Sequence, residues 1–264
     1  MSGEPSILTE TDGPVLIVTI NRPDRRNAVD SATAKDLFET FKEFDANKNL
    51  SVAILTGAGG NFCAGADLKA LASGDQRDLS TDKAAMNTLA PMGPTRLRFT
   101  KPVIAAVEGY AVAGGIELAL WCDLRVAAEG CVFGVFCRRF GVPLIDLGTV
   151  RLPRLIGHSR AMDLILTGRP VSAQEAFDIG LANRMAPKGG ALAAARTLAG
   201  EIAALPQKCL RNDRQSAFEQ WDLPEEDAMR NEMRRGLQTI ASGETASGAA
   251  AFTGGAGRGG AKRD

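Results

Sequence analysis

Two short segments hold residues whose types and spacing suit chemistry on a carbonyl compound. The first, Asn61-Phe62-Cys63-Ala64-Gly65-Ala66-Asp67-Leu68, follows a β-branched run and a Gly57/Gly59/Gly60 turn and leads into a short helix. The second, Glu108-Gly109-Tyr110-Ala111-Val112-Ala113-Gly114-Gly115-Ile116-Glu117-Leu118, also lies between an apolar run and an apolar helix. Small residues let a ligand approach the main chain, and amides that open a helix point outward with partial positive charge. Taken alone, the first segment reads first as a glycine loop closing a β–α connection. Glu117 is either a helix-capping carboxylate or, flanked by Ile116, Leu118, Ala119, Leu120 and Trp121, a partly buried carboxyl whose proton is held tightly. Side by side, the segments would supply two amide donors for one carbonyl oxygen and a carboxylate within reach of the neighbouring carbon. That is the requirement for α-carbon chemistry on a thioester, each donor contributing roughly 3 kcal/mol to the developing enolate.

Other reactive side chains have plainer readings. His158 follows Leu155-Ile156-Gly157 and reads as a helix-start residue rather than a base. Arg138 and Arg139 read as surface charge, and Trp121 and Trp221 as core or interface anchors.

The elements that must position these residues follow from hydrophobic periodicity. Short β-branched runs at Val15 to Ile20, Ser51 to Thr56, Pro102 to Val107 and Leu124 to Ala127 alternate with helical stretches, which predicts stacked β-β-α units with buried strands. Between the first two, Leu37, Phe38, Phe41 and Phe44 fall at helical spacing over 31 to 46, behind Asp30/Ser31 as N-cap. Residues 73 to 95 read as a mobile excursion beside the first loop. Beyond about 185 the strand signals stop and the chain becomes Ala- and Arg-rich and helical. We therefore expect a core over 1–195 and a helical appendage over 196–264, its glycine-rich tail from Thr253 frayed.

Composition removes several function classes. Thirty-one basic residues balance thirty-one acidic ones, so no global field draws the chain to nucleic acid or an anionic membrane. No apolar run approaches the roughly 20 residues of a membrane span, and the first residues lack a signal peptide's basic and apolar regions, so the expected location is the cytosol. Five cysteines without paired spacing and a single histidine speak against a disulfide framework and a zinc site, and we expect no metal.

With these residues assembled, the chain resembles the crotonase, or enoyl-CoA hydratase/isomerase, family over most of its length. The resemblance is carried in order by Asn21-Arg22-Pro23-Asp24-Arg25-Arg26-Asn27-Ala28, NFCAGADL, KPVIAAVEGYAVAGGIELAL with Cys122-Asp123, Phe133-Gly134, Gly148-Thr149, Arg151-Leu152-Pro153-Arg154-Leu155-Ile156-Gly157 and Leu166-Thr167-Gly168-Arg169. It implies an α/β fold: a spiral of β-β-α units with a C-terminal helical trimerisation region, assembled as a homo-oligomer, either a trimer or a dimer of trimers. It implies an acyl-CoA thioester substrate with no separate cofactor and no nucleic-acid or membrane partner. By the same resemblance the Ala66 and Gly114 amides form the oxyanion hole, and Glu117 is the first of the hydratases' two catalytic glutamates. Arg25, Arg26, Ala64, Asp67 and Leu68 would lie along the CoA path.

One position departs from the pattern. The hydratases' second glutamate would stand where this chain has Cys137, whose thiol, with an ordinary pKa of about 8.5, cannot simply replace a carboxylic acid. Cys137, kept with the substrate-binding residues, reads as a small buried hydrophobe. Asp146 is a possible replacement, since a dienoyl-CoA isomerase branch of the family uses an aspartate in this neighbourhood; equally it could be the N-cap of the helix starting near Gly148. The expected activity is enoyl-CoA hydration by Glu117 with Asp146 assisting. The alternatives are a double-bond isomerase using Glu117 as its single base and a non-catalytic CoA-binding oligomer.

Overall fold

The computed structural model describes residues 4–77, 79–81 and 85–256. Among them, strands and helices alternate as β1 (Ile7–Asp12), β2 (Val15–Ile20), α1 (Ser31–Ala46), β3 (Val52–Gly57), α2 (Leu68–Ala72), β4 (Val103–Val107), β5 (Tyr110–Val112), α3 (Gly114–Trp121), β6 (Leu124–Ala128) and β7 (Val132–Gly134). Then follow α4 (Gly148–Ile156), α5 (His158–Thr167), β8 (Val171–Ser172), α6 (Ala173–Asp178), β9 (Arg184–Ala186) and α7 (Ala191–Ala203). The four apolar runs read from the sequence are β2, β3, β4 and β6. β1, which faces solvent, and the two- or three-residue strands β5, β7, β8 and β9 carry no comparable sequence signal.

A six-stranded sheet runs in the order β1-β2-β3-β4-β6-β9, with β1 antiparallel to β2 and every later pairing parallel. A three-stranded sheet runs β5-β7-β8. From β4 onward the strands fall in the pairs β4/β5, β6/β7 and β8/β9, each turn of the spiral leaving one strand in each sheet. Isolated bridges Val29↔Ala66 and Cys63↔Ala111 carry two loops into the same wall. Hence residues far apart in sequence meet along one edge of the spiral.

Helix α1 begins where expected, with the Asp30 carboxylate accepting from the Thr33 amide at 2.9 Å. Its apolar face buries Leu37, Phe38, Phe41 and Phe44. Phe41 packs edge-on against Trp121 with ring centres 4.8 Å apart and stacks on Phe99 at 5.9 Å. Trp121 is thus a core anchor, its Nε1 donating to the Leu97 carbonyl at 3.0 Å. At the far end of α1 the buried Lys101 donates to the Phe44 and Asn47 carbonyls, supplying charge where the helix exposes its acceptors. His158 opens α5, as its position after Gly157 implies.

The chain divides into two compact units, Met1–Ile202 and Ala203–Asp264. The boundary expected near 195 falls inside the continuous helix α7. In the second unit α8 (Gln207–Glu219), α9 (Glu225–Ala241) and α10 (Glu244–Thr253) are joined by polar contacts. Asn212 Nδ2 donates to Thr239 Oγ1 at 2.9 Å, Arg235 pairs with Glu219, and Glu244 accepts the Lys208 and Cys209 amides at the start of α8. Trp221 is half-exposed in this unit, so within the chain it is not a core residue. The expected tail lies largely outside the described residues, while its first residue, Thr253, closes α10. No helix among the described residues is long and apolar enough to cross a membrane.

The aromatic cluster behind α1 makes one stability expectation explicit. Phe41→Ala removes a fully buried ring that three others pack around, and we expect a loss of about 3–5 kcal/mol. In denaturant titration the midpoint should fall with an unchanged slope.

Candidate functional site

Both loops singled out in the sequence line one cavity of about 380 Å³. Its wall includes Ala64, Ala66, Leu68, Leu71, Met92, Ala113 and Gly114 together with Glu117, Phe136, Cys137, Val142, Ile145 and Asp146. Apolar side chains make up most of this surface, so the few polar groups stand in a medium that strengthens their interactions.

The oxyanion-hole expectation has a backbone basis. Val29 donates to the Gly65 carbonyl at 2.8 Å and accepts from the Asp67 amide at 2.9 Å, a pairing that leaves the Ala66 N–H turned the other way, toward the cavity. Gly114 is the first residue of α3, where no intrahelical acceptor exists. Among the described residues neither amide has a backbone acceptor. Ala113 takes φ 55° and ψ −125°, a strained conformation for a residue with a Cβ, costing about 1–3 kcal/mol. That strain turns the following peptide so that the Gly114 amide faces the cavity.

Glu117 is 2% exposed and does not cap α3. Its Oε1 instead accepts two amides from the start of α4, Asp146 N–H and Gly148 N–H, each at 2.9 Å. Leu147 between them is left-handed, φ 68° and ψ 15°, and the alternation lets two amides converge on one anionic oxygen. Gly148 is required by close approach: a Cβ there would lie 2.7 Å from Glu117 Oε1. The other carboxylate oxygen is left for the cavity.

Asp146 is also 2% exposed, and it is not the N-cap of α4; Leu147 holds that position without a side-chain bond. The carboxylate reaches away from the helix, where Oδ1 accepts from the Met92 amide at 2.9 Å and from the Thr95 hydroxyl. Arg151, largely buried beneath the pair, donates to the Thr95 carbonyl at 2.7 Å and the Asp146 carbonyl at 3.3 Å. Burial lowers its pKa to about 10, against the pull of Glu117 and Asp146.

Burial and then the neighbouring Asp146 charge push the Glu117 carboxyl up to about 8, opposed by the Gly148 and Asp146 amides and by Arg151. Burial also raises Asp146, opposed first by Thr95, then by the Met92 amide, Arg96 and Arg77. The Asp146 charge thus couples the titration of Glu117 to its own. The Cys137 thiol is raised as well, by burial first and by Glu117 second, so it stays protonated and neutral.

The remaining sequence-selected residues separate. Ala64 and Leu68 line the cavity, whereas Asp67 turns inward as N-cap of α2 and pairs with Arg22 at 3.0 Å. Arg25 and Arg26 are exposed and outside the cavity wall, with Arg26 lying 5.6 Å from the Tyr110 ring centre. Arg138 and Arg139 are exposed too, each tied to a backbone carbonyl of the chain that follows. Sequence reasoning missed Thr95, Met92, Arg151 and Arg77. Three of these act on backbone groups or through their own amide, a role that residue type does not announce.

Glu117's proton affinity has a consequence for stability. Its native pKa stands above the ordinary 4.5, so the folded state keeps a proton that the unfolded chain loses, and stability declines as pH rises from 4.5 through about 8. Glu117→Gln removes this penalty. Its unfolding free energy should exceed that of the parent by a margin that widens over this interval and then levels, on the order of 5 kcal/mol at full extent, read from denaturant titrations at several pH values.

Comparison with known proteins bears on this site. The family model described as Enoyl-CoA hydratase/isomerase matches residues 10–254. The chain is 36% identical over 255 residues to the enoyl-CoA hydratase EchA19 of Mycobacterium tuberculosis, covering 94% of this chain and 93% of that one. It is 35% identical over 211 residues to the mevalonyl-coenzyme A hydratase sidH of Aspergillus fumigatus, covering 79% and 76%. The crystal structure of the enoyl-CoA hydratase EchA1 from Mycobacterium marinum superposes with a TM-score of 0.87 at 39% identity, covering 95% of this chain and 96% of that one. The two unpartnered amides and the buried carboxyl of α3 therefore stand in a chain that belongs to the enoyl-CoA hydratase/isomerase family.

Proposed function

We propose that this protein is an enoyl-CoA hydratase, adding water reversibly to a 2-enoyl-CoA through a thioester enolate. The observation that carries the reading is the meeting, in one apolar cavity, of two free amides and two buried carboxyls. The Ala66 and Gly114 amides would bind the thioester oxygen and stabilise the charge it gains as the enolate forms. Water addition needs a base for the water and an acid for the α-carbon, and the pair supplies both.

The assignment within the pair follows from their surroundings. Arg96 and Arg77 favour the Asp146 carboxylate against its burial, whereas Glu117 is raised to about 8; on this reading Asp146 serves as the base and Glu117 as the acid. As the water oxygen bonds to the β-carbon, its proton passes to Asp146, and Glu117 delivers its own to the α-carbon. An isomerase would need only one of these groups, and a binding protein neither, so the second buried carboxyl favours hydration over both. Cys137 then contributes a small neutral surface beside the acyl group.

Leu68, Leu71, Phe136, Phe140, Val142 and Ile145 suit a hydrocarbon acyl group. The CoA moiety would leave past Ala64 and Leu68 toward the exposed Arg25 and Arg26, while Asp67 acts only by holding the loop. No further cofactor enters the chemistry, and the place of action on this reading is the cytosol, where a CoA thioester is dissolved. A homo-oligomer, trimer or dimer of trimers, is supported by the exposed apolar stripe Met229, Met233, Leu237 and Ile240 along α9.

Incubation with crotonyl-CoA, followed by loss of enoyl-thioester absorbance and product mass, should give the 3-hydroxyacyl product. Glu117→Gln and Asp146→Asn should each lower kcat at least a hundredfold. Activity should fall on the alkaline side as Glu117 loses its proton near pH 8, and on the acid side as Asp146 gains one. Double-bond migration without water uptake, or full activity in Asp146→Asn, would overturn the assignment. Light scattering should report a mass several times the monomer's, reduced by Met233→Glu.

A further inference from the structure

The excursion after α2 was expected to be mobile. Residues 78 and 82–84 of it lie outside the described residues, but its described part is pinned, and it brings one arginine to the place where the halves of the site meet. The Arg77 side chain is 6% exposed and lines the reaction cavity. Its Nη1 donates to the Pro91 carbonyl at 2.9 Å and its Nη2 to the Val29 carbonyl. Asp75 lies 3.5 Å from its Nε and is itself fixed by the Ser31 amide and hydroxyl at the start of α1. The Nε–H has no hydrogen-bond acceptor among the described residues, so the guanidinium is oriented by the two carbonyls rather than by its carboxylate.

Each carbonyl belongs to a residue that controls one catalytic group. The Val29 carbonyl also accepts from Asp67, in the pairing that turns the Ala66 amide into the cavity. Pro91 precedes Met92, whose amide holds Asp146. Met92 also packs on Gly114 so closely that a Cβ there would lie 2.5 Å from the sulfur. Val29, Ala66, Pro91, Gly114 and Asp146 come from five separate stretches of chain. Arg77 bonds two of these stretches to each other, and through them it meets both oxyanion amides and the base.

We propose that Arg77 is a positioning residue, a clamp between the Val29 and Pro91 carbonyls that sets the distance between the oxyanion amides and Asp146. This rests on the hydratase reading above. The fork geometry is essential to it, because a lysine in the same place carries the charge on a single point and cannot span two carbonyls in fixed directions. The charge acts separately. Glu117 from α3, Arg151 from α4, Arg96 from the Pro94–Arg96 turn and Arg77 from the excursion are the charged groups that face Asp146, and Arg77 is among those that favour its carboxylate.

The test compares Arg77→Met and Arg77→Lys in the full-length protein. Misplacing reacting groups by about 1 Å costs up to a hundredfold. With crotonyl-CoA, Arg77→Met should therefore lose about 10- to 100-fold in kcat with KM changed less than about threefold. The acid limb of its pH profile should move to higher pH, because a cation facing Asp146 is gone. Arg77→Lys should restore the limb and not kcat. Bound acetoacetyl-CoA, whose enolate absorbs when both amides hold its oxygen, should show a weaker enolate band in both variants. Wild-type kcat in either variant, or loss of kcat matched by KM with unmoved pH limb and enolate band, would overturn the clamp. If Arg77→Met does not fold, Arg77→Lys carries the test. If the parent protein forms the enolate band yet hydrates no enoyl-CoA, the hydratase reading fails and the band alone decides the role of Arg77.

Discussion

Two amides of one short segment converge on a single oxygen of Glu117, and the site is built around that contact. A carboxyl in an apolar cavity is costly unless its charge or its proton is managed, and here both are. The Asp146 and Gly148 N–H groups fix the orientation of the side chain and offset part of its desolvation. Because the donor Asp146 is itself the second carboxyl-bearing residue, the contact that orients the first carboxyl also places the second. Leu147 accepts a left-handed conformation, and position 148 accepts having no side chain, so that this can happen. The strain at Leu147 and at Ala113 marks the two places where backbone direction matters more to the molecule than backbone comfort.

The spiral explains how such a contact is reached at all. From β4 onward each turn leaves a strand in each sheet, so loops that end successive turns stack along one edge. The Ala66 loop is joined to the segment at Val29 and to β5 by isolated bridges rather than by long ladders, which sets its height without covering its free amide. Longer pairing there would have satisfied the N–H that the chemistry needs. Buried parallel strands β2, β3, β4 and β6 provide the rigidity, while the short strands and bridges provide the aim.

That division also decides what could be read in the sequence. Buried strands and the amphipathic helix α1 announce themselves by apolar runs and period, and Ser31 to Ala46 was legible to the residue, cap included. Short strands such as β5 and β8 are fixed by neighbours distant in sequence and leave no local pattern. Among site residues, Glu117 was legible because a carboxylate amid apolar neighbours is conspicuous. Its partner was not: the amides that hold it belong to residues 146 and 148, and nothing in the sequence ties them to α3. Asp146 was visible as a residue, but only its bonds to Met92 and Thr95 separate it from a helix cap. Met92, Arg151 and Arg77 act through backbone groups, and side-chain identity does not reveal that.

Cys137 becomes intelligible in this light. A glutamate at that position would add a third carboxyl to a cavity wall that already holds two buried ones, and each added negative charge raises the cost of ionising the others. On the hydratase reading the pair already divides into one base and one acid, so a third acid would disturb that order without adding a function. A neutral thiol, held protonated by its burial and by Glu117, fills the space and leaves that order intact. The second acid of this site is thus carried on the segment that grips the first, which couples their positions and their protons more tightly than two carboxyls on independent loops would be.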